Sequence, residues 1–292
     1  MAEDGVTFAS LNQDVKTEIL SHISANEQVD LLYSMYQNRE KKPMRVLGRH
    51  IINARRIDDV LGATLLLQIC KDKEVKEMDM VRFILSLREI DVNLSSSFGE
   101  TPLLTSLYEN IDHDEMALAL IHVRAAVNTQ DKAGASALIK CAEKGNVNIT
   151  RALIKAEANV NLINQYGTTA LIWAAINGHS DIAACLLEGG ANMNARNTKG
   201  YTALLYASEK GNTVALELIR AGAGLNVANN QGNTALMLSA ELGNIDHVKA
   251  LIHAGAALNL KNKWKHTALR ISRDTHGACE IVEILQAAGA IE

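Results

Sequence analysis

The chain has 292 residues, a formal net charge of −4 and an aromatic content of only 4%. This small charge argues against electrostatic binding to nucleic acid or to a bilayer surface, and no apolar run approaches the roughly 18 residues that a membrane span needs. The acidic start lacks a signal-peptide core and the four cysteines lie far apart with no Cys-x-x-Cys pair, so we expect a reducing, cytoplasmic setting without a disulfide framework or zinc site.

Residues 1–58 do not share the pattern of the rest of the chain and are predicted to form a helical N-terminal segment. Apolar residues recur every four positions at Leu11, Val15, Ile19 and Ile23, which predicts an amphipathic helix. Two further short helices are expected after it. Such a segment can cover the apolar face that is exposed at the end of a repeat array, and this structural cap is one interpretation of it.

The same predicted helix also resembles the opening of an F-box, which is the second interpretation. The residues at the matching leucine, acidic-aliphatic, isoleucine-leucine and aliphatic positions are Leu11, Asp14, Val15, Ile19, Leu20 and Ile23. Asn12 stands where the family has a proline, and the later Val-Cys and Trp positions are not evident in residues 33–49. The resemblance implies that the aliphatic residues of this set dock a Skp1-like protein.

A basic run lies between residues 39 and 56, where Glu40 is the only acidic residue. Basic clusters can bind phosphate groups. Because residues 41–56 contain no Phe, Tyr or Trp that could stack on a base, we interpret the run as a solvated helix face and predict no nucleic-acid partner.

From residue 59 onwards the sequence repeats with a period near 33. A turn glycine recurs at Gly134, Gly167 and Gly200, with two steps of 33 (167−134 and 200−167). Two residues after each turn position stands a Ser or Thr that is predicted to cap a helix: Ser136, Thr169, Thr202, Thr234 and Thr267. Each unit ends on an apolar residue followed by asparagine: Val92-Asn93, Val127-Asn128, Val160-Asn161, Met193-Asn194, Leu225-Asn226 and Leu258-Asn259.

One complete unit lies between residues 164 and 194. A tight turn at Gly167 and a cap at Thr169 precede a first helix that is predicted to end near Gly178. A second apolar-striped helix then runs to Gly190. The unit is therefore predicted to be a turn followed by two helices.

A period of about 33 residues with a turn and two helices per unit resembles the ankyrin-repeat family. The resemblance covers residues 59–292 and implies an all-α ankyrin-repeat solenoid of about seven repeats. Most units differ from the family's Thr-Pro-Leu-His signature, because alanine replaces the proline and apolar packing must replace the hydrogen bonds of the histidine. The residues at the histidine position are Leu104, Ile139, Ile172, Leu205, Met237 and Arg270.

Several units are irregular, and two of them lead to structural predictions. The fifth repeat has 11 positions from Gly211 to Gly222 (222−211), one fewer than the 12 from Gly178 to Gly190 (190−178), and this deletion predicts a local kink or a tightened turn. The seventh repeat has Lys265 in place of the turn glycine and a more charged first helix, which suits a terminal cap.

The sequence contains no glycine-rich phosphate loop, no nucleophile elbow and no His-Glu-x-x-His pair, so we predict no enzymatic activity, no cofactor and no metal. Instead, the ankyrin resemblance implies a scaffold that binds a partner protein on its concave face, formed by the turns and first helices of repeats three to seven. The candidate contact residues are Tyr166, Trp173, Ile176, Lys199, Tyr201, Tyr206, Glu209, Leu238 and Trp264.

Two alternatives stay open at this point. Trp173 and Tyr206 could pack between successive first helices instead of meeting a partner. The whole chain could also be a substrate adaptor of a Skp1/cullin ubiquitin ligase. In that case it would resemble the bacterial effectors that join an F-box to ankyrin repeats and act in the host cytosol.

Overall fold

A computed structural model describes residues 91–108, 114–276 and 280–292, together with Leu66, Arg82 and Leu85. The F-box-like helix, the basic run and most of the predicted first repeat lie outside the described residues. The predicted boundary between residues 58 and 59 lies outside them as well.

Residues 91–108, 114–276 and 280–292 form twelve helices in six successive pairs and no strand. The all-α prediction is therefore confirmed for this part of the chain, and the pairs correspond to predicted repeats two to seven; the total of about seven repeats stays a prediction. The helices are α1 Pro102–Ser106, α2 Asp114–His122, α3 Ala137–Lys144, α4 Val147–Lys155, α5 Ala170–Asn177, α6 Ser180–Glu188, α7 Ala203–Lys210, α8 Val214–Arg220, α9 Ala235–Leu242, α10 Ile245–His253, α11 Ala268–His276 and α12 Glu280–Ala287.

The six pairs stack into two layers. The first helix of each pair packs on the first helices of its neighbours, and the second helices form the other layer. A continuous apolar core runs between the layers. Each pair therefore buries its apolar faces against the pairs before and after it, as expected for a solenoid.

The predicted capping residues begin the first helices. The hydroxyl of Thr169 accepts a hydrogen bond from the backbone N–H of Ile172 at 3.3 Å, which satisfies one of the free donors of the first turn. The same bond is made by Thr101, Ser136, Thr202, Thr234 and Thr267.

A side-chain oxygen shapes each turn that precedes a first helix. Asn164 Oδ1 accepts from the N–H groups of Tyr166 and Thr168, at 2.9 and 3.0 Å. These two bonds close the turn through a side chain that belongs to the turn itself. The equivalent acceptors in repeats three to seven are Asp131, Asn164, Asn197, Asn229 and Asn262.

Backbone hydrogen bonds join successive turns. The N–H of Thr198 donates to the carbonyl of Tyr166 in the preceding repeat at 2.9 Å. Equivalent bonds link the turns of repeats two to seven: Lys132 to Phe98, Gln165 to Ala133, Thr198 to Tyr166, Asn230 to Lys199 and Lys263 to Gln231. The turns therefore form one continuous ladder along the solenoid.

The asparagine that ends each unit makes the second joint between repeats. Asn161 Oδ1 accepts from the backbone N–H of Asn192 in the next repeat at 2.8 Å. The other pairs, at 2.7–2.8 Å, are Asn93 with Ala126, Asn128 with Asn159, Asn194 with Gly224, Asn226 with Ala257 and Asn259 with Ile291. The recurring apolar-Asn pattern thus has a structural cause.

Apolar packing does replace the family's histidine, as expected. The side chains at this position in repeats two to six are almost completely buried: Leu104, Ile139, Ile172, Leu205 and Met237. In repeat seven the same position holds Arg270, which is exposed and pairs with Asp274 at 2.9 Å.

The one-residue deletion in repeat five shortens α8 at its N-terminal end. This helix has seven residues, whereas α6 has nine. Its first turn is closed by i→i−3 bonds, from Ala215 to Asn212 and from Leu216 to Thr213, and Thr213 makes no side-chain cap. The start of α8 is therefore tightened, while the change of angle that the deletion is expected to cause between repeats five and six stays a prediction. Leu218 keeps its buried position because the helix remains in phase from its C-terminal end.

Lys265 adopts the left-handed conformation that glycine adopts in the other turns, with φ +65°. In repeat three, Gly134 is needed both because its φ is positive and because a Cβ there would lie 3.0 Å from Asn164 Cα of the next turn. No turn follows that of Lys265 in the described chain, which leaves space for its side chain. The backbone conformation still costs stability for a residue with a Cβ.

We expect Lys265→Gly to raise the free energy of unfolding by about 0.5–1 kcal/mol, because relief of the left-handed strain exceeds the entropy cost of glycine. Thermal or urea unfolding followed by circular dichroism measures this. Lys263→Gly, two residues earlier in the same exposed turn, is the control and should not stabilise the protein. An equal gain in both variants would contradict the explanation.

His247 is 2% exposed at the first turn of α10. Burial lowers its pKa, and this outweighs the opposing effects of a hydrogen bond to the Asn212 backbone and of the Asp246 charge. The folded protein therefore keeps His247 neutral under conditions in which an unfolded histidine, with a pKa of about 6.5, takes up a proton.

It follows that the protein loses stability as the pH falls below about 6.5 towards the lower folded-state pKa of His247. We expect His247→Leu to flatten this dependence of the melting temperature on pH. His253→Leu, on an exposed position of the same helix, should retain it. A His247→Leu protein with the same pH dependence as the original would rule out this histidine as the cause.

Candidate functional site

The turns present one side chain each at the residue before the turn glycine or its replacement. We call this set the tip row: Phe98, Ala133, Tyr166, Lys199, Gln231 and Trp264. Three of its members are large aromatic residues with high exposure, namely Phe98 at 65%, Tyr166 at 60% and Trp264 at 58%. Because the turns are joined by backbone bonds, these side chains project from a fixed row.

The predicted contact residues differ in accessibility. Tyr166, Lys199, Glu209 and Trp264 are exposed. A second group is half-buried and packs against the core: Trp173, Ile176, Tyr201 and Tyr206. The structure thus separates the predicted set into a truly accessible part and a part that also supports the fold.

Leu238 is a core residue. Its side chain is only 5% exposed and belongs to the continuous apolar core. It offers no surface to a partner, so its inclusion among the contact residues was wrong. The position four residues after the capping threonine also holds Trp173 and Tyr206, whose larger side chains extend further towards the solvent.

The packing interpretation of Trp173 and Tyr206 has direct support. The indole nitrogen of Trp173 is buried and has no hydrogen-bond partner in the described structure. Tyr206 stacks on Tyr201 with ring centroids 4.4 Å apart, and its hydroxyl accepts a hydrogen bond from Asn197 Nδ2 at 3.1 Å. Both side chains therefore pack within the first-helix layer.

Tyr201 lies at the edge of the exposed region. Burial raises the pKa of its hydroxyl, and the negative charge of Glu209 raises that pKa further. The hydroxyl is therefore protonated at neutral pH.

A polar cluster occupies repeats two and three and was not anticipated from the sequence. The Tyr108 hydroxyl donates to the Asp131 carboxylate, and Lys140 Nζ lies 4.3 Å from the centroid of the Tyr108 ring. Lys144 donates to the Tyr108 carbonyl, and Lys140 approaches Glu143 at 3.9 Å. Burial is the largest cause that raises the pKa of the Tyr108 hydroxyl, followed by its bond to Asp131.

Phe98 is the accessible aromatic residue that sequence reasoning missed. The predicted surface began at repeat three, whereas Phe98 belongs to repeat two. Its position in the repeat identifies it, because Phe98 precedes Gly99 as Tyr166 precedes Gly167.

Comparison with protein families agrees with this architecture. The family model described as ankyrin repeats matches in three copies, at residues 109–197, 185–262 and 204–290. These matches cover more than half of the chain. The chain belongs to the ankyrin-repeat family. Ankyrin repeats are protein–protein interaction modules and are generally non-enzymatic.

No curated protein matches the chain. The family comparison gives no support to the F-box resemblance, and Leu11, Val15, Ile19, Leu20 and Ile23 lie outside the described residues. The Skp1-docking interpretation stays a hypothesis. In the part of the chain that the structure describes, no helix has the length and apolar character to cross a membrane.

Proposed function

We propose that this ankyrin-repeat protein is a non-enzymatic scaffold that binds a partner protein through its turns and the concave side of its first helices. The observation that carries the proposal is the tip row, where Phe98, Tyr166 and Trp264 are aromatic and mostly exposed. The proposed contact surface keeps Lys199 and Glu209 and no longer contains Leu238.

Two properties of the tip row favour binding: the area that its aromatic side chains can bury and the fixed conformation of its turns. Exposed Tyr and Trp side chains are frequent anchors of protein interfaces, because each buries a large area for few rotatable bonds. In this protein the turns that carry them are fixed by side-chain acceptors and by bonds between repeats. Little conformational entropy is therefore lost when a partner covers the row.

The test replaces two anchors outside repeat seven, Phe98→Ala and Tyr166→Ala, in the whole chain. The partner is captured from cytosol, identified by mass spectrometry and purified. Its affinity for the double variant is then expected to fall by about tenfold or more, as for interface anchors. Equal affinity for the variant and the original chain would overturn the proposal.

Ile163→Ala is the matched control. Ile163 is a large exposed apolar residue outside the tip row. Its truncation removes exposed apolar surface away from the tip row and should leave the affinity unchanged. Circular dichroism of every variant checks that helical content is retained.

The adaptor alternative is tested separately with purified Skp1. If residues 1–58 act as an F-box, the whole chain binds Skp1 and the double change Ile19→Asp and Leu20→Asp abolishes binding. If Skp1 does not bind the original chain, the cap interpretation is favoured and the proposed function of the repeats is unaffected.

A further inference from the structure

We propose that the turn of repeat seven, residues 261–266, binds an acidic peptide segment of the partner. Trp264 supplies an apolar anchor, and Lys261, Lys263 and Lys265 supply the positive charge. The inference rests on the proposed function, since it specifies the chemistry of one contact on the same surface.

Trp264 is free to receive an apolar side chain. It is 58% exposed and makes no ring contact within the described residues. Trp173, by contrast, packs against the core. An exposed indole offers both a large apolar face and an N–H donor, which suits an aliphatic or aromatic residue set among polar neighbours.

The charge around Trp264 is of one sign. Lys261, Lys263 and Lys265 are exposed and form no ion pair within the described chain. No Asp or Glu occurs between residues 247 and 273, and Asp274, the next acid, is already paired with an arginine of its own helix at 2.9 Å. The turn is therefore a local positive site on a chain whose net charge is −4.

Lys265 adds to this positive charge from a position that holds glycine in the other turns. Its φ is +65°, whereas the five preceding turns place glycine there: Gly99, Gly134, Gly167, Gly200 and Gly232. A side chain is disfavoured in this region, and Arg124 and Glu157, which follow the ends of α2 and α4, are the other described residues with a side chain that adopt it. The strained lysine places a third ammonium group in the turn that carries Trp264.

The turn is also rigid before it binds. Asn262 Oδ1 accepts from the N–H groups of Trp264 and His266, both at 3.0 Å, and Asn262 Nδ2 donates to Asn233 Oδ1 at 2.9 Å. The N–H of Lys263 is bound to the Gln231 carbonyl of the preceding turn. A pre-organised turn loses little entropy on binding a ligand.

A peptide fits these features better than a nucleic acid or a membrane. The tip-row neighbours of Trp264 are Gln231 and Lys199, so successive bases would find no row of aromatic planes. The charges on the neighbouring first helices are mixed, since Glu209 and Lys210 are both exposed on α7, so the positive site of one sign is confined to the turn. A short acidic segment suits a site of that size.

The test uses fluorescence anisotropy of a labelled synthetic peptide, rich in Asp and Glu with one central leucine, at low salt. The whole chain should bind it, and Trp264→Ala should weaken binding by about tenfold or more. Lys265→Gly should also weaken binding while the melting temperature rises, so loss of folding cannot explain the effect. Lys132→Ala removes an exposed turn lysine of repeat three and is the control, with little effect expected.

Equal binding of the peptide to the original, Trp264→Ala and Lys265→Gly proteins, or no binding to any of them, would overturn the inference. So would tighter, Trp264-dependent binding of single-stranded DNA or of phosphatidylserine vesicles. These outcomes are independent of the Phe98→Ala and Tyr166→Ala test. If the double variant loses affinity for the partner but the acidic peptide does not bind, only this inference is contradicted. If the double variant keeps its affinity for the partner, the proposed function is contradicted.

Discussion

Replacing Ile172 by alanine is expected to lower the free energy of unfolding by about 2–5 kcal/mol, the range for large buried aliphatic residues. Ile172 is almost completely buried in α5, at the position where the ankyrin signature has histidine. The change leaves a cavity in the middle of the described array. Because α5 packs on the first helices of both neighbouring repeats, the cavity weakens two interfaces at once.

Arg270→Ala is the control for this prediction, since Arg270 occupies the same position in repeat seven. Its side chain is exposed and its ion pair with Asp274 lies at the surface, so the change should stay within about 0.5 kcal/mol. Urea unfolding followed by circular dichroism measures both variants. If Ile172→Ala costs no more than Arg270→Ala, apolar packing does not replace the missing histidine.

Asn262→Ala is expected to cost about 2–3 kcal/mol, because it removes three hydrogen bonds at a buried position and leaves their partners unsatisfied. The lost bonds are those of Asn262 Oδ1 with the N–H groups of Trp264 and His266, and that of Asn262 Nδ2 with Asn233. The turn that presents Trp264 should loosen as a result.

Asn262→Asp separates the contribution of Oδ1, which closes the turn, from that of Nδ2, which bonds to Asn233. Asp131 occupies the equivalent position in repeat three and accepts from two backbone N–H groups in the same way. The aspartate variant therefore keeps the turn and loses only the bond from Nδ2 to Asn233, so it should be less destabilised than the alanine variant. The opposite order in urea unfolding would show that the turn bonds contribute little.

The fold of the described region was predictable because its determinants are local and repeat in phase. Thr169 caps a helix, Asn164 closes a turn, and Asn161 joins two repeats, and each of these contacts recurs one unit later. A period in the sequence therefore gives the architecture directly. The shortened turn before α8 was predictable for the same reason, since a deletion is visible against regular neighbours.

Accessibility was less predictable, because it depends on side chains from adjacent repeats. Trp173, Tyr206 and Leu238 occupy one position of the unit, yet only Leu238 lies in the core. A leucine is short enough to lie below the surface that larger neighbours form. Register alone therefore identifies a face of the solenoid without showing which of its side chains a partner can reach.

The joint made by the terminal asparagine of each unit has a consequence for how such a chain can change in length. Its acceptor is a side chain, but its donor is a main-chain N–H, and the donating residues share no common side chain: Ala126, Asn159, Asn192, Gly224, Ala257 and Ile291. Any residue except proline can supply that donor. A unit can therefore be duplicated, deleted or exchanged during evolution without a matching change at the joint, while the side chains in its turn are free to diversify.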